Sequence, residues 1–288
     1  MIARRPEELA PEPRAVAIGT FDGVHLGHRE VIRAAVDSGL RPTVVTFDPH
    51  PRIVFGHQVE LLSTLERRFE LLADCGVEDV LVVEFTPETA ALSAEDFSRE
   101  VLSRIGAEIV VAGEGFRFGS RRSGDLTLLR SLGFDAREVP LVEGVSSSRI
   151  RRHAHDGEVE AAAWLLGRPL EVDGVVVSGD QRGGTLGFPT ANLRIDPALL
   201  VPAFGIYAGA VGDRRAAVSI GVNPHYGGTE RRVEAYLLDW EGDLYGRRLV
   251  VELWRRLRDE RAFASEADLV AQIARDVEET RAAARPGP

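Results

Sequence analysis

Lysine is missing from these 288 residues: all 35 side chains in the combined Lys and Arg count are arginine. A Walker-type phosphate loop, a Schiff-base enzyme and a kinase-fold active site with its strand lysine each need that amine, so all three are excluded. Phosphate must be met instead by arginine, backbone N–H groups, histidine or a metal. Cysteine occurs once, at Cys75, which rules out an internal disulfide framework and a cysteine-based metal centre. No apolar run reaches the roughly 18–20 residues that span a bilayer. The opening stretch, Met1-Ile2-Ala3-Arg4-Arg5-Pro6-Glu7-Glu8, has no apolar core of a signal peptide, so no membrane partner is expected and cytoplasm is the expected compartment. A formal net charge of −10 argues against nucleic acid held through overall charge. With 44% hydrophobic and 28% charged residues, the composition is that of a soluble globular protein long enough for two domains.

What the chain does have is concentrated near its start. Residues 15–18 read as a buried strand, followed by the turn Gly19-Thr20-Phe21-Asp22-Gly23-Val24-His25 and then by Leu26-Gly27-His28 at the head of a helical pattern. A strand, a glycine turn and a helix N-terminus together present unpaired N–H groups and the positive end of a helix dipole, which suits a nucleotide phosphate. His25 and His28 can add hydrogen bonds to phosphate oxygens.

Two textures follow. Up to about residue 168, strand signals at 44–47, 80–85 and 109–112 alternate with helices. One helix opens at Ser63 and buries Leu65, Phe69 and Leu72; another opens at Ser93 and buries Phe97, Val101 and Ile105. Such alternation predicts a parallel sheet with helices on both faces and ligands at the strands' C-terminal ends. Beyond Gly167-Arg168-Pro169, five short strands at 172–178, 206–211, 216–220, 232–239 and 248–254 predict a small closed barrel. A single helix, 265–284, carries Leu269, Ile273 and Val277 at helical spacing. The expected fold is therefore α/β: a doubly wound parallel sheet in domain 1–168 and a small antiparallel β-barrel with a terminal helix in domain 169–288.

The His-x-Gly-His turn resembles that of the nucleotidyltransferase superfamily. Its longer form here, Gly-Thr-Phe-Asp-Gly-Val-His-Leu-Gly-His, resembles the bacterial bifunctional riboflavin kinase/FAD synthetases. Three more first-half strings fit that family: Phe47-Asp48-Pro49-His50-Pro51 with Phe55 beyond it, Gly113-Glu114-Gly115-Phe116-Arg117-Phe118-Gly119, and Val145-Ser146-Ser147-Ser148-Arg149. In the second half, Gly187-Phe188-Pro189-Thr190-Ala191-Asn192 resembles the Pro-Thr-Ala-Asn signature of riboflavin kinases.

The resemblance implies two ATP-dependent steps, riboflavin to FMN and FMN to FAD with release of pyrophosphate. It implies His25, His28 and Arg149 as catalytic in the second step and Glu234 as the base of the first. For ATP it implies Gly19, Phe21, Asp22, Gly27 and Ser146 to Ser148 at one site, and Gly179, Arg182, Gly183 and Asn223 at the other. Flavin falls to Pro49, His50, Pro51, Phe55, Phe116 and Phe118, and separately to Arg258 and Phe263; Thr190 and Asn192 would hold Mg2+. Gly115 stands where the family has Asn or Asp, Ser148 where it has Thr, Gly184 where Arg is common, and His225 where Thr is usual. Gly115 or Gly184 would be the basis for a chain that keeps one activity only. A non-catalytic flavin carrier is the other alternative, although binding alone has no use for a base.

Overall fold

The computed structural model describes residues 1–179, 182–222 and 231–287, without the side chains of Arg182 and Thr185. It contains two compact units: residues 1–59 with 65–145, and residues 60–64 with 146–288.

In the first unit the strands are β1 (Ile2–Ala3), β2 (Arg14–Ile18), β3 (Arg41–Asp48), β4 (Asp79–Glu84), β5 (Ala107–Gly113) and β6 (Asp135–Val139). All adjacent pairs are parallel, in the order β1-β4-β3-β2-β5-β6. Helices α1 (Leu26–Val36), α2 (Pro51–Val54), α3 (Leu65–Asp74), α4 (Pro87–Ala91), α5 (Ala94–Phe97) and α6 (Leu126–Ser131) connect them. The period-2 rule divides β2 between two cores. Ala15 and Ala17 face α1 and α3 through Ile32 and Leu72; Val16 and Ile18 face Phe97, Leu102 and Leu129. The sheet is thus doubly wound. Its strand order reverses between β2 and β5, and a crevice at the C-terminal ends of those two strands follows from that topology.

The opposite ends of the strands are tied by charge. Arg14 and Asp79 are 1% and 2% exposed and pair directly. Arg14 also donates to Thr43 Oγ1 at 3.0 Å and to the Ile105 carbonyl at 2.9 Å, while Arg41 Nε reaches Asp79 at 2.6 Å. One guanidinium therefore ties β2 to β3 and β4. Burial raises the Asp79 carboxyl, but hydrogen bonds from Arg41, the Met1 amino group and Arg14 outweigh it and hold it below the usual carboxylate range.

The second unit contains α7 (Ser147–His155), α8 (Val159–Leu166), β7 (Leu170–Val177), α9 (Arg182–Thr185), β8 (Ala191–Ile195), β9 (Gly205–Val211), β10 (Arg214–Val222), β11 (Arg231–Leu237), β12 (Arg248–Arg258) and α10 (Glu266–Ala282). Its six strands close as β10-β11-β8-β7-β12-β9, all antiparallel, with β9 pairing β10. On β11, Val233, Ala235 and Leu237 fill the barrel while Arg232, Glu234 and Tyr236 face outward.

The change of texture lies at 168; the second compact unit takes in residues 60–64 and 146–288, and Ile150, Ala154, Ala162 and Leu166 of α7 and α8 join the barrel core. On α10, Val277 is buried as expected, but so is a polar row, Gln272, Asp276 and Thr280. The sequence pattern does not mark β1, β6 and β8 as strands.

Substituting Asp79→Asn should cost about 3 kcal/mol, because buried Arg14 would keep only the exposed Glu12 carboxylate as counter-charge. The Asp79 contribution is present in full above the ordinary carboxylate value of about 3.9 and is lost as pH falls through the lower folded value. Denaturant melts of the parent at stepped acid pH should show that decline, and the variant should lack it.

Candidate functional sites

Strand β2 ends at Gly19, whose N–H donates to the Val45 carbonyl at 3.1 Å. The turn then passes through positive φ at Phe21 (49°), Gly23 (77°) and Val24 (39°). A β-branched valine there is strained, the kind of outlier that concentrates at functional turns. The turn folds Phe21 under Gly19, where a Cβ would lie 3.2 Å from the ring and push it by a few tenths of an ångström. Phe21 and Asp22 are each 1% exposed; of the sequence-selected residues, these two shape the turn from beneath.

Helix α1 starts just after His25, whose Nδ1 accepts from the His28 N–H at 3.2 Å. The two imidazoles stack with centroids 3.6 Å apart, and Phe21 meets His28 edge-on at 5.3 Å. Gly27, between them, is the second residue of the helix. Burial pulls His28 well below its ordinary value, and the neighbouring His25 and Arg68 charges act in the same direction. His28 is therefore neutral at pH 7, and its Nδ1 is sealed without a hydrogen-bond partner in the protein.

Sequence reasoning missed Arg68. It is 2% exposed on α3, and burial lowers its guanidinium while Asp22 and Asp48 partly offset that effect. Its Nε has no partner, and Nη1 makes a long 3.5 Å contact to the Phe47 carbonyl. The available signal was an arginine on the same helical face as Leu65 and Leu72.

The aromatic candidates form one row. Phe55, 63% exposed, meets Phe85 at 5.8 Å; contacts of 5.6, 6.2, 5.8 and 5.6 Å then run through Phe47, Phe97 and Phe118 to Phe116. Phe118 is buried and Phe116 half-buried, so the inner end of the row is also core. Pro49 is exposed, and Pro51 opens α2 with His50 as its cap, Nδ1 accepting from the Arg52 N–H at 3.2 Å. Gly115 has φ +72° and nothing within 4 Å of a built Cβ. Gly, Asn and Asp are the residues that adopt this conformation most readily, so the departure preserves the backbone.

In the second unit, Ser146 caps α7, its Oγ accepting from the Arg149 N–H at 3.3 Å; Ser147 and Ser148 fill the first turn, and Ser148 and Arg149 are exposed. Strand β8 sets Asn192 opposite Glu234 of β11. Glu234 accepts from Thr190 Oγ1 at 3.1 Å and pairs with Arg232, whose Nε also donates to Asn192 Oδ1 at 3.0 Å. Four candidate and neighbouring side chains are thus one hydrogen-bonded group. Gly179 lies against it: a Cβ there would sit 2.4 Å from Asn192.

Thr190, Arg232 and Glu234 open into a cavity of about 830 Å³, which Gly183, Arg258 and Phe263 also line. Glu260 shares the cavity. Burial raises its carboxyl, Arg258 opposes that, and Glu234 adds to it. Asn223 and His225 lie outside the described residues, as does the side chain of Arg182. Among the described residues no cluster of three His, Cys, Asp or Glu could hold a metal. The oxygens of Thr190 and Asn192 suit a hard cation that keeps phosphate and water ligands.

A phosphate turn at the switch point of a doubly wound sheet, and a barrel with a carboxylate in a hydroxyl-lined cavity, describe a two-domain nucleotide-dependent transferase. Residues 7–152 match the family model for FAD synthetase and residues 166–284 that for riboflavin kinase. The chain is 36% identical to the bifunctional riboflavin kinase/FMN adenylyltransferase of Listeria monocytogenes, over 93% of this chain and 92% of that one. The Escherichia coli K12 protein of the same description is 37% identical over the same shares, and that of Bacillus subtilis 34% identical over 95% and 94%. A crystal structure described as a macrolide-efflux protein from Streptococcus pneumoniae superposes with TM-score 0.86 at 33% identity, covering 98% of both chains.

The chain belongs to the bifunctional riboflavin kinase/FMN adenylyltransferase family. It is an enzyme with both domains, and riboflavin, FMN and ATP are the substrates of these families. Among the described residues no helix is long and apolar enough to cross a membrane.

Two outcomes follow from the first site. Unfolded histidine takes up its proton near pH 6.5 and the buried one does not, so the His28 contribution is complete above that pH and is lost as pH falls below it. Ring-proton NMR should show one imidazole that does not titrate between pH 6 and 8. Gly19→Ala should slow FAD formation by at least about 10-fold, since ångström-scale misplacement costs about 10², and leave FMN formation unchanged in coupled assays.

Proposed function

We propose that the chain makes FMN from riboflavin in residues 169–288 and FAD from FMN in residues 1–168, each step with its own ATP. The observation that carries the first assignment is Glu234 held between Thr190 and Arg232 in a cavity large enough for a flavin. The ribityl alcohol is un-ionised at neutral pH and needs a base within hydrogen-bond reach. Glu234 accepts that proton as the alcohol oxygen bonds to the γ-phosphorus of ATP and ADP leaves. Thr190 and Asn192 would hold a magnesium ion there, which supplies charge neutralisation on the phosphates. Gly179, Arg182, Gly183 and Asn223 are the candidates for ATP, Asn223 and the Arg182 side chain lying outside the described residues, and Arg258 and Phe263 are the candidates for the flavin.

In the second reaction the nucleophile is the FMN phosphate, already largely dianionic because its second pKa is about 6. No base is called for. Alignment and charge stabilisation remain, and the Gly19–His28 turn suits both. Neutral His28, with His25 beside it, donates hydrogen bonds to phosphate oxygens; by resemblance to the family, Ser146 to Ser148 and Arg149 are the candidates for the triphosphate. Pro49, His50, Pro51, Phe55, Phe116 and Phe118 offer the flavin a rigid, aromatic wall. The substrates support a cytoplasmic setting.

Incubating Glu234→Gln and His28→Ala with riboflavin, ATP and magnesium, and separating the flavins by chromatography, tests this division. Glu234→Gln should lose FMN formation by about 10²-fold or more while still converting supplied FMN to FAD. His28→Ala should accumulate FMN. Loss of both steps in either folded variant would show that one shared site does both.

A further inference from the structure

The outer wall of the 830 Å³ cavity is held by two residues that no motif marked. Between β12 and α10 the chain runs through residues 259–265 without regular structure. Arg258, where that stretch begins, donates from Nε to Asp276 Oδ1 at 3.0 Å and from Nη2 to Oδ2 at 2.7 Å, a two-pronged pair. Asp276 also accepts from Gln272 Nε2 at 2.8 Å. The Gln272 oxygen in turn accepts from Arg261, and from Arg275 at 2.7 Å. Asp276 and Gln272 are 3% and 8% exposed. Both wall arginines lie against one ring: the Phe263 centroid is 5.8 Å from Arg258 Cζ and 4.9 Å from Arg261 Cζ.

This arrangement is costly for mere packing. A buried carboxylate must be compensated fully, and an apolar side chain of similar size would hold a helix as well or better. What the polar pair supplies is direction. Asp276 fixes the plane of one guanidinium at two points, Gln272 ties the second, and together they set where the Phe263 ring stands.

We propose that Asp276 and Gln272 are positioning residues for the flavin. Acting through Arg258 and Arg261, they hold Phe263 at the cavity wall and so set the affinity for the planar ring system, with no part in phosphoryl transfer. This rests on the reading that the cavity takes riboflavin.

The test uses the full chain. Asp276→Asn keeps the size but loses the charge that grips Arg258, and Arg258→Lys keeps the charge but loses the second prong. Riboflavin fluorescence titration gives Kd, and steady-state assays give kcat and KM for riboflavin and for ATP. For Asp276→Asn we expect riboflavin Kd and KM to rise about 10-fold, with kcat and the ATP KM within about twofold, because uniform binding alone is lost; for Arg258→Lys the readout is riboflavin Kd, which should rise as well. FAD formation from supplied FMN should be unchanged. The double variant should be no weaker than the weaker single, as for partners in one interaction.

An unchanged riboflavin Kd in folded Asp276→Asn overturns the proposal. So does a parallel fall in kcat and in the affinity for both substrates, the mark of a merely structural role. Should Asp276→Asn fail to fold, Gln272→Met probes the same relay through Arg261, and an unchanged Kd there overturns it equally. Parent protein that binds riboflavin but forms no FMN would remove the functional reading and leave the positioning role standing. Parent protein that binds no riboflavin removes the positioning role.

Discussion

Both sites depend on a side chain occupying the volume that a glycine leaves empty. At Gly19 it is the Phe21 ring, 3.2 Å from where a Cβ would sit; at Gly179 it is the Asn192 amide, at 2.4 Å. In the first unit Phe21 and Val24 take positive φ in the same turn, and the two imidazoles stack just beyond it. In the second the contact lets a loop lie directly on the Thr190–Glu234–Arg232–Asn192 group. Packing this close leaves no slack, and geometry held to fractions of an ångström is what both alignment and proton transfer require.

Much of this was legible in the chain, and the parts that were not have physical reasons. The strands β2, β3, β4 and β5 announce themselves because a sheet covered on both faces needs continuous apolar runs. Strand β6 does not, since along Asp135–Val139 one residue alone is buried. Strand order cannot be read from a single sequence, so the reversal between β2 and β5 that forms the crevice had to come from the structure. The glycine–histidine turn and the Pro-Thr-Ala-Asn string were visible as patterns. Arg68 and Asp276 were not, because a buried charged residue looks like a surface one until its neighbours are known.

The lack of lysine gives the polar interior a consistent character. Arg14, Arg232 and Arg258 each meet two or more acceptors at once, which the planar guanidinium fork allows and a single ammonium satisfies less rigidly. Each also joins different strands or a strand to a helix: β2 to β3 and β4, β11 to β8, β12 to α10. Charge that could have sat loosely on the surface is used instead to fix elements in place. This is also why the neutral state of His28 carries weight, since burial first, and then the nearby His25 and Arg68, disfavour a further charge there.

The five residues 60–64 belong with the barrel although the chain on either side of them belongs with the sheet. The Leu61 N–H and carbonyl bond to Ala198 and Leu200, and Thr64 gives its hydroxyl to Asp173 at 2.6 Å. The polypeptide therefore crosses from one unit to the other three times, as an interleaved thread. No single scission divides it into two intact halves: a cut after Val145 would strip the barrel of a stitch and leave Leu62 without the apolar surroundings that cover it. Two separable modules joined end to end would need only one junction, whereas here the second unit includes a piece of the chain that connects parts of the first.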